Sequence, residues 1–247
     1  MRTLVLFTRG PRAEARAKGL PRKAGARLFR ALVESWVQSA RRAEVQPVIM
    51  APAGSLAELK RLFAGDGVPI EAQCPGTLGE RLQDAFTRAF ARGASPVMVA
   101  GGDSPAPAPT ELARAFADLA SGDRVVLGPS PDGGVYAIGL ASPAATLMQD
   151  VPWLSADVER ALRERAAALG LPVAALPPAL DIDGVADLRR AFALAGCDVK
   201  WRPLQSALAA LLAAAPPAST AAARTPLALL ASDLAARGPP ASSSLQN

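Results

Sequence analysis

Short apolar segments alternate with longer amphipathic segments along most of this chain. Thr3–Phe7, Gln46–Ala51 and residues 96–100 have the length and the continuous apolar character of buried strands. Between them, apolar residues recur three or four positions apart, as on the inner face of a helix. Strands that alternate with helices form open, mostly parallel sheets with helices on both faces. We therefore expect an α/β fold with a single Rossmann-like sheet.

The composition of the chain changes after about residue 200. With 247 residues, 50% of them apolar, the chain can bury one substantial core but hardly two large ones. We expect this core in residues 1–200 and an Ala/Pro/Ser-rich, low-complexity tail in residues 201–247, partly helical or disordered. Residues 204–215 have the pattern of one amphipathic helix, and residues 242–247 that of an unstructured end.

Several classes of protein are excluded by composition. No apolar run approaches the roughly 18 residues that a membrane span needs. The first eleven residues lack the long apolar stretch of a secretory signal. Cys74 and Cys197 lie far apart, which suits neither a disulfide scaffold nor a zinc ribbon. We expect a cytoplasmic protein that does not bind a membrane; the sequence carries no signal for its oligomeric state.

The chain contains no histidine. A Ser-His-Asp triad, a Cys-His pair and an imidazole metal site are therefore impossible. A metal ion would need oxygen ligands, which favours Mg²⁺ or Mn²⁺. A general base would have to be a carboxylate, Lys, Tyr or Cys.

Basic residues are concentrated near the beginning of the chain. Residues 9–30 contain eight Lys or Arg side chains and one acidic residue, Glu14, although the net charge of the whole chain is only +5. Such a segment indicates an anion site or a nucleic-acid surface. Because aromatic side chains on which bases could stack are scarce, we expect a phosphate ligand and not a nucleic acid. Residues 9–23 follow the first predicted strand as a loop, the usual position of phosphate-binding loops. A merely solvated basic surface is the alternative.

Asp103 is the clearest candidate for chemistry. It follows the strand at 96–100 through two glycines and would project from the carboxyl edge of the sheet. A carboxylate there would hold a hydrated divalent cation that bridges two phosphates. The structural alternative is an Asx turn or the N-cap of the next helix.

Two further aspartate motifs follow predicted strands. In Asp132-Gly133-Gly134 the paired glycines let backbone N–H groups approach a ligand, although Asp-Gly is also the usual signal of a plain hairpin turn. Asp181 and Asp183 lie on one face of an extended segment and would complete a metal site with Asp103. Asp183 is equally suited to cap a helix.

Two patterns of the type S/T-x-x-E predict helix capping boxes. They are Ser55 with Glu58 and Thr77 with Glu80. For Glu80 the box is by itself a sufficient structural explanation.

Six ordered segments resemble a bacterial family with the glycosyltransferase-A-like, nucleotide-diphospho-sugar transferase fold, often labelled radical-SAM/selenodomain-associated transferases. The resemblance covers roughly residues 2–195, and the same fold houses nucleotidyltransferases such as the molybdenum-cofactor and 2-phospholactate guanylyltransferases. The segments are LVLFTRGP (4–11), TLGERL (77–82), GGDSP (101–105), VVLGPSPDGGVYAIGL (125–140), VPW (151–153) and DIDGVADL (181–188).

The resemblance implies a transferase that depends on Mg²⁺ or Mn²⁺, with Asp103 and Asp183 as the metal-binding pair and Asp132 as a catalytic residue. Carried over by motif, the expected substrate-binding residues are Ser104, Glu80, Arg81, Gly133 and Gly134.

The first loop departs from the pattern of the family, P-x-P-G-x-x-K-T-R-L. Its Gly, Lys and Arg are replaced by Glu14, Ala17 and Gly19. Arg16 and Lys18 lie one residue away and are candidates, together with Arg9, for binding phosphate.

Three functions are compatible with these observations. The leading hypothesis is a glycosyltransferase that moves a sugar from a nucleotide sugar to a small-molecule acceptor. The second is a nucleotidyltransferase, in which a phosphate or phosphonate substrate attacks an NTP and pyrophosphate leaves. The third is a degenerate, non-catalytic nucleotide-binding module.

Overall fold

A computed structural model describes residues 1–195 and 204–214 of the chain. Seven strands in this part form one sheet, β1 to β7 in chain order: Thr3–Phe7, Gln46–Ala51, Ile70–Ala72, Val97–Gly101, Val125–Pro129, Val135–Leu140 and Val173–Ala175. Their order across the sheet is β3-β2-β1-β4-β6-β5-β7. All pairs are parallel except those of β6, which runs antiparallel to β4 and β5. The predicted mostly parallel α/β sheet is confirmed.

The sheet differs from the expectation in two details, a short edge strand and an internal hairpin. The three-residue strand β3 was not predicted, because Ile70 and Glu71 lack the length or alternation that marks a strand. Strands β5 and β6 form a hairpin, so β6 reverses the chain direction inside an otherwise parallel sheet. The reversal leaves the ends of β1, β4 and β5 at the same edge.

Helices cover both faces of the sheet, as predicted. They are α1 to α8 in chain order: Pro11–Ala17, Arg22–Arg42, Leu56–Leu62, Leu78–Ala91, Pro109–Ala120, Val158–Ala168, Val185–Ala195 and Gln205–Ala214. In β1, Leu4 and Leu6 pack with α2, α3 and α5, whereas Val5 and Phe7 pack with α4 and α6. Successive strand residues point to opposite faces, so one apolar strand supplies both layers of the core. In the described part of the chain, no helix is long and apolar enough to cross a membrane.

The segment predicted to be a basic loop is mostly helical. Residues 11–17 form α1, and α2 already begins at Arg22. Pro11 occupies the first turn of α1, where its missing N–H costs nothing, and the alanines that follow are strong helix formers. The expectation of a loop between β1 and the first helix was wrong. Because this segment is helical, the helix determines which basic side chains face inward.

Only one of the two predicted capping boxes forms. Thr77 accepts a hydrogen bond from the Glu80 backbone, and the Glu80 side chain accepts one from the Thr77 backbone. Ser55 makes no side-chain cap at the start of α3. Glu58 instead accepts a hydrogen bond from the Arg12 backbone at 3.3 Å, because a partner distant in sequence competes for its carboxylate.

The beginning of the C-terminal segment is attached to the domain. Leu208 and Leu211 of α8 are fully buried in a cluster with Leu28 and Leu32 of α2 and Leu188 of α7. The helix predicted at 204–215 is therefore present as α8. The domain boundary near residue 200 stays a prediction. The predicted unstructured end at 242–247, like Cys197, lies outside the described residues.

Candidate functional site

The strand order creates a crevice between β1 and β4. The chain leaves β1 toward β2 on one side, and β4 is inserted on the other side of β1, with Phe7 paired to Gly101 at the carboxyl ends. In open α/β sheets ligands bind beyond such a switch point. Thr8 and Arg9 extend from β1, and Gly102 and Asp103 extend from β4.

Close packing of these strand ends requires the glycine pair. The Gly102 N–H donates to the Phe7 carbonyl at 3.2 Å. A Cβ added at Gly102 would lie 2.7 Å from Thr8 Cβ, and one added at Gly101 would lie 2.8 Å from Asp103 Oδ1. The absence of side chains at 101 and 102 therefore permits the position that Asp103 takes.

Lys18 lies at the centre of the site. Its side chain is fully buried, and its Nζ atom lies 2.7 Å from Asp103 Oδ2, 3.1 Å from Asp183 Oδ1 and 3.4 Å from Glu14 Oε1. Burial alone would lower the pKa of Lys18, but the three carboxylates outweigh it and raise the pKa above its usual value. The lysine is charged at every physiological pH and joins α1 to β4 and to the segment before α7.

Arg9 is the second buried cation. Its side chain is 3% exposed, and Nη1 lies 3.7 Å from Glu14 Oε1. None of the three guanidinium nitrogens has a hydrogen-bond partner among the described residues. Buried polar groups are nearly always satisfied by protein, water or ligand, so these donors indicate a place for an acceptor that the described residues do not supply.

Asp181 and Asp183 have different surroundings although they are two residues apart. Asp181 is buried and accepts a hydrogen bond from Ser130 Oγ at 2.7 Å. Burial raises the pKa of Asp181 well above its usual value, and the negative charge of Asp103 acts in the same direction. Burial also raises the pKa of Asp183, to about 6, against the opposing effect of Lys18. Asp183 forms an ion pair with Lys18, whereas the hydrogen-bond partner of Asp181 is Ser130.

The Asp132-Gly133-Gly134 motif forms the turn between β5 and β6. Asp132 Oδ1 accepts a hydrogen bond from the Gly134 N–H at 3.1 Å. The motif therefore forms the hairpin turn that was the structural alternative for this Asp-Gly sequence. The turn also lies at the edge that carries Asp103. Burial raises the pKa of Asp132, and the negative charges of Asp187 and Asp103 raise it further.

Gly133 fixes the position of this turn. Its φ is +87°, and a Cβ there would lie 2.0 Å from the Ala156 carbonyl oxygen. The Gly133 carbonyl in turn accepts the Glu159 N–H at the start of α6. A backbone hydrogen bond and this close approach therefore hold the turn against the start of α6.

The remaining predicted residues lie elsewhere or have other partners. Arg16 is exposed on the outer side of α1. Glu80 serves the capping box, and Arg81 is buried and donates to Gln73 Oε1 at 3.1 Å. Ser104 is completely buried, and its carbonyl accepts the Trp36 indole N–H at 2.9 Å. Of the predicted set, the structure brings together Arg9, Lys18, Asp103 and Asp183, with Asp132 nearby.

Sequence reasoning missed the part that Glu14 plays. Glu14 contacts both Arg9 and Lys18 and so links the two buried cations. The signal was available, because Glu14 and Lys18 have the i,i+4 spacing of a helical ion pair. It was not recognised because the segment was expected to be a loop.

The carboxylates around Lys18 form a possible donor set for a divalent cation. Asp103 and Asp183 already converge on one positive charge, and carboxylate oxygens suit Mg²⁺ or Mn²⁺. Within residues 1–195 and 204–214, no group of three or more acidic or Cys side chains is placed to hold a metal. Mg²⁺ usually takes one or two carboxylates and completes its shell with water and substrate phosphates. These residues therefore fit such an ion once the Lys18 ammonium has withdrawn.

The crevice and its polar edge define the class of the fold, an open α/β sheet of the kind in which ligands bind beyond the carboxyl ends of the strands. The model of a family described as uncharacterized proteins conserved in bacteria (DUF2064) matches residues 36–155. This match, together with the structural likenesses below, confirms the predicted resemblance. No curated protein sequence matches the chain.

Solved structures share the fold. A protein from Desulfovibrio desulfuricans G20, provisionally assigned as a nucleotide-diphospho-sugar transferase, is 24% identical with a TM-score of 0.72, over 85% of this chain and 99% of that one. The inositol-1-phosphate CTP transferase from T. maritima is 16% identical with a TM-score of 0.53, over 84% and 96%. A Bacillus anthracis protein provisionally assigned as a glucose-1-phosphate thymidylyltransferase is 11% identical with a TM-score of 0.51, over 78% and 95%. At these identities the likeness establishes the fold.

Proposed function

We propose that this chain is a transferase that uses a nucleotide-activated donor, and that it moves a sugar from a nucleoside-diphosphate sugar to a small acceptor. The observation that carries the proposal is the buried guanidinium of Arg9, whose three nitrogens lack hydrogen-bond partners in the described part of the chain. It lies beside Lys18 at the crevice where such folds bind ligands. The planar guanidinium matches phosphate oxygens in a bidentate geometry, so a diphosphate supplies the missing acceptors.

The two buried cations would bind the donor diphosphate. Arg9 would hold one phosphate by paired hydrogen bonds. Lys18 would turn its ammonium from Asp103 and Asp183 toward the other phosphate and keep its ion pair with Glu14. The freed carboxylates would then hold Mg²⁺ or Mn²⁺, which supplies positive charge to stabilise the leaving diphosphate.

Asp132 is the proposed group for the acceptor. Its raised pKa makes its carboxylate a stronger base than an exposed aspartate. It would orient the acceptor hydroxyl and take its proton as the bond from the sugar to the nucleoside diphosphate breaks. Gly133 and Gly134 would line the same pocket, while their N–H groups hold the turn together by donating to Ser130 and Asp132. Contacts of Arg16, Glu80, Arg81 and Ser104 with substrate remain predictions.

A nucleotidyltransferase is the second candidate, favoured by the likeness to the CTP transferase from T. maritima. The same two cations would then bind the triphosphate of an NTP. Pyrophosphate would leave, whereas a glycosyltransferase would release a nucleoside diphosphate.

The first experiment is a thermal-shift panel of nucleotide sugars and NTPs, each with and without MnCl₂, on the wild type and on Arg9→Met. A ligand at about 100 times its dissociation constant stabilises the fold by about 2.7 kcal/mol. We expect one nucleotide sugar to stabilise the wild type, more strongly with Mn²⁺, and to lose this effect in Arg9→Met. The matched control is Arg42→Met, at the exposed end of α2, which should behave as the wild type.

The product then decides between the candidates. Release of a nucleoside diphosphate from the stabilising donor supports the glycosyltransferase, and release of pyrophosphate from an NTP replaces it with the nucleotidyltransferase. Binding without any product would indicate the non-catalytic module. A flat panel would contradict all three.

A further inference from the structure

A second basic surface lies outside the crevice, in a cavity of about 570 Å³ between the N-terminal parts of α1 and α2 and the helix α3. The cavity has an apolar floor that includes Pro11, Ala26 and Leu62. Glu58 is its single acidic lining residue. Its walls carry six basic side chains: Arg12, Arg22, Lys23, Arg27, Arg30 and Arg61.

Four of these cations have no acidic partner among the described residues. Arg12 pairs with Glu58, and Arg30 pairs with Glu34 at 2.7 Å. No acidic side chain within residues 1–195 and 204–214 lies within 4.0 Å of the other four, which are Arg22, Lys23, Arg27 and Arg61. The cavity therefore has a local excess of positive charge that an anion would offset.

The helix that carries these residues begins with unfavourable electrostatics. The N-terminus of a helix is positive, and acidic residues are favoured in its first turn. In α2 the first turn has no acidic residue and carries Arg22 and Lys23, and its N-cap, Pro21, makes no side-chain cap. Lys23 and Arg27 also form a like-charge i,i+4 pair, which destabilises a helix. An anion in the cavity would relieve all of these repulsions together.

We propose that this basic cavity binds a small ligand with several phosphate groups, at a place distinct from the donor crevice. Its volume lies in the range of about 300–1,000 Å³ that is usual for small-ligand sites. No aromatic side chain lines it, so stacking with nucleic-acid bases has no platform there. The basic cavity opens on Arg12 and the α2 side chains, whereas Glu14 and Lys18 of the same helix α1 face Asp103.

The test is isothermal titration of the full chain with inorganic tripolyphosphate at low salt, comparing the wild type with Lys23→Gln/Arg27→Gln. We expect saturable binding to the wild type that is about tenfold weaker for each cation removed. Arg42→Gln, an exposed arginine at the other end of α2, is the matched control and should bind as the wild type. Without ligand, the double variant should unfold at the same or a higher temperature, because it loses a like-charge pair.

Arg9→Met separates this site from the donor crevice. Binding of tripolyphosphate that survives Arg9→Met and is lost in Lys23→Gln/Arg27→Gln supports the proposal, whatever the outcome of the donor panel. Binding lost only in Arg9→Met places the anion in the crevice and overturns the proposal without touching the proposed function. No saturable binding, or tighter binding of a 20-nucleotide single strand than of tripolyphosphate, overturns it as well.

Discussion

The ammonium of Lys18 lies 2.7 Å from the carboxylate of Asp103, and this contact joins α1 to the end of β4 across 85 positions of sequence. The side chain of Lys18 has no exposed surface, and its ammonium also contacts Asp183 and Glu14. Arg9 also contacts Glu14, so the three carboxylates share two cations and one negative charge is left unbalanced. A divalent cation would neutralise that charge better, provided that the lysine moves to another anion.

Replacement of Lys18 by Met should make the chain dependent on a divalent cation. Removing one partner of a buried ion pair typically costs about 3–5 kcal/mol, because the remaining charge is buried unpaired. We expect the free energy of unfolding in urea to fall by this amount without metal and to recover largely with MnCl₂. Lys60→Met, at an exposed lysine of α3, should change neither value. Equal stabilisation of wild type and Lys18→Met by Mn²⁺ would contradict competition between the lysine and the metal.

Replacement of Arg9 by Met should weaken donor binding and leave the free energy of unfolding nearly unchanged. The guanidinium has no hydrogen bond to lose within the described residues, and Glu14 keeps its contact with Lys18. The free energy of unfolding should therefore change by less than about 1 kcal/mol, whereas affinity for the donor should fall about tenfold or more. Urea unfolding and titration calorimetry measure the two quantities. A large loss of stability with unchanged affinity would assign Arg9 a purely structural role.

Replacement of Asp181 by Asn should stabilise the protein increasingly as the pH rises above the usual pKa of an aspartate. The folded-state pKa of Asp181 is raised by burial, so the unfolded chain loses this proton at a lower pH than the folded chain does. Between the two pKa values the wild type therefore loses stability as pH rises, by up to about 1.4 kcal/mol per pH unit. Asp181→Asn keeps an acceptor for the Ser130 hydroxyl. Because its amide does not ionise, the variant does not lose stability in this way as the pH rises.

The measurement is urea unfolding of both proteins from pH 4 to pH 8. The advantage of Asp181→Asn should be smallest at pH 4 and should grow as pH rises. A constant difference across this range would show that Asp181 ionises in the folded chain as it does in the unfolded one.

Replacement of Gly133 by Ala should be far more destabilising than the same change at Gly19. Both glycines have positive φ, +87° and +64°, which costs an alanine about 1–2 kcal/mol. At Gly133 the new Cβ would also lie 2.0 Å from a backbone oxygen of Ala156, whereas at Gly19 nothing lies within 4 Å. We expect a total cost above about 3 kcal/mol at Gly133 from strain and displacement of the turn. Thermal unfolding of the two variants measures the difference, and equal costs would refute the packing of the turn on α6.

The sequence was sufficient for the elements that local patterns specify. The bounds of β1 and β2 follow from their apolar runs, and the start of α4 follows from the Thr77–Glu80 box. Local prediction failed where a distant partner intervenes. Glu58 contacts Arg12, 46 positions earlier, instead of capping α3 with Ser55. The short strand β3 forms only because β2 offers an edge to pair with.

For the candidate site, the sequence by itself determined which residues follow which strands. Asp103, Asp132 and Asp183 come after apolar runs that are recognisable from the sequence. Only the tertiary structure decided that Lys18, and not Arg16, faces them. That choice depends on α1 being a helix, which turns the two cations to opposite sides, and on the sheet bringing β1, β4 and the 181–183 segment to one edge. Short-range periodicity encodes elements, whereas a buried charge cluster depends on segments that meet only in the folded chain.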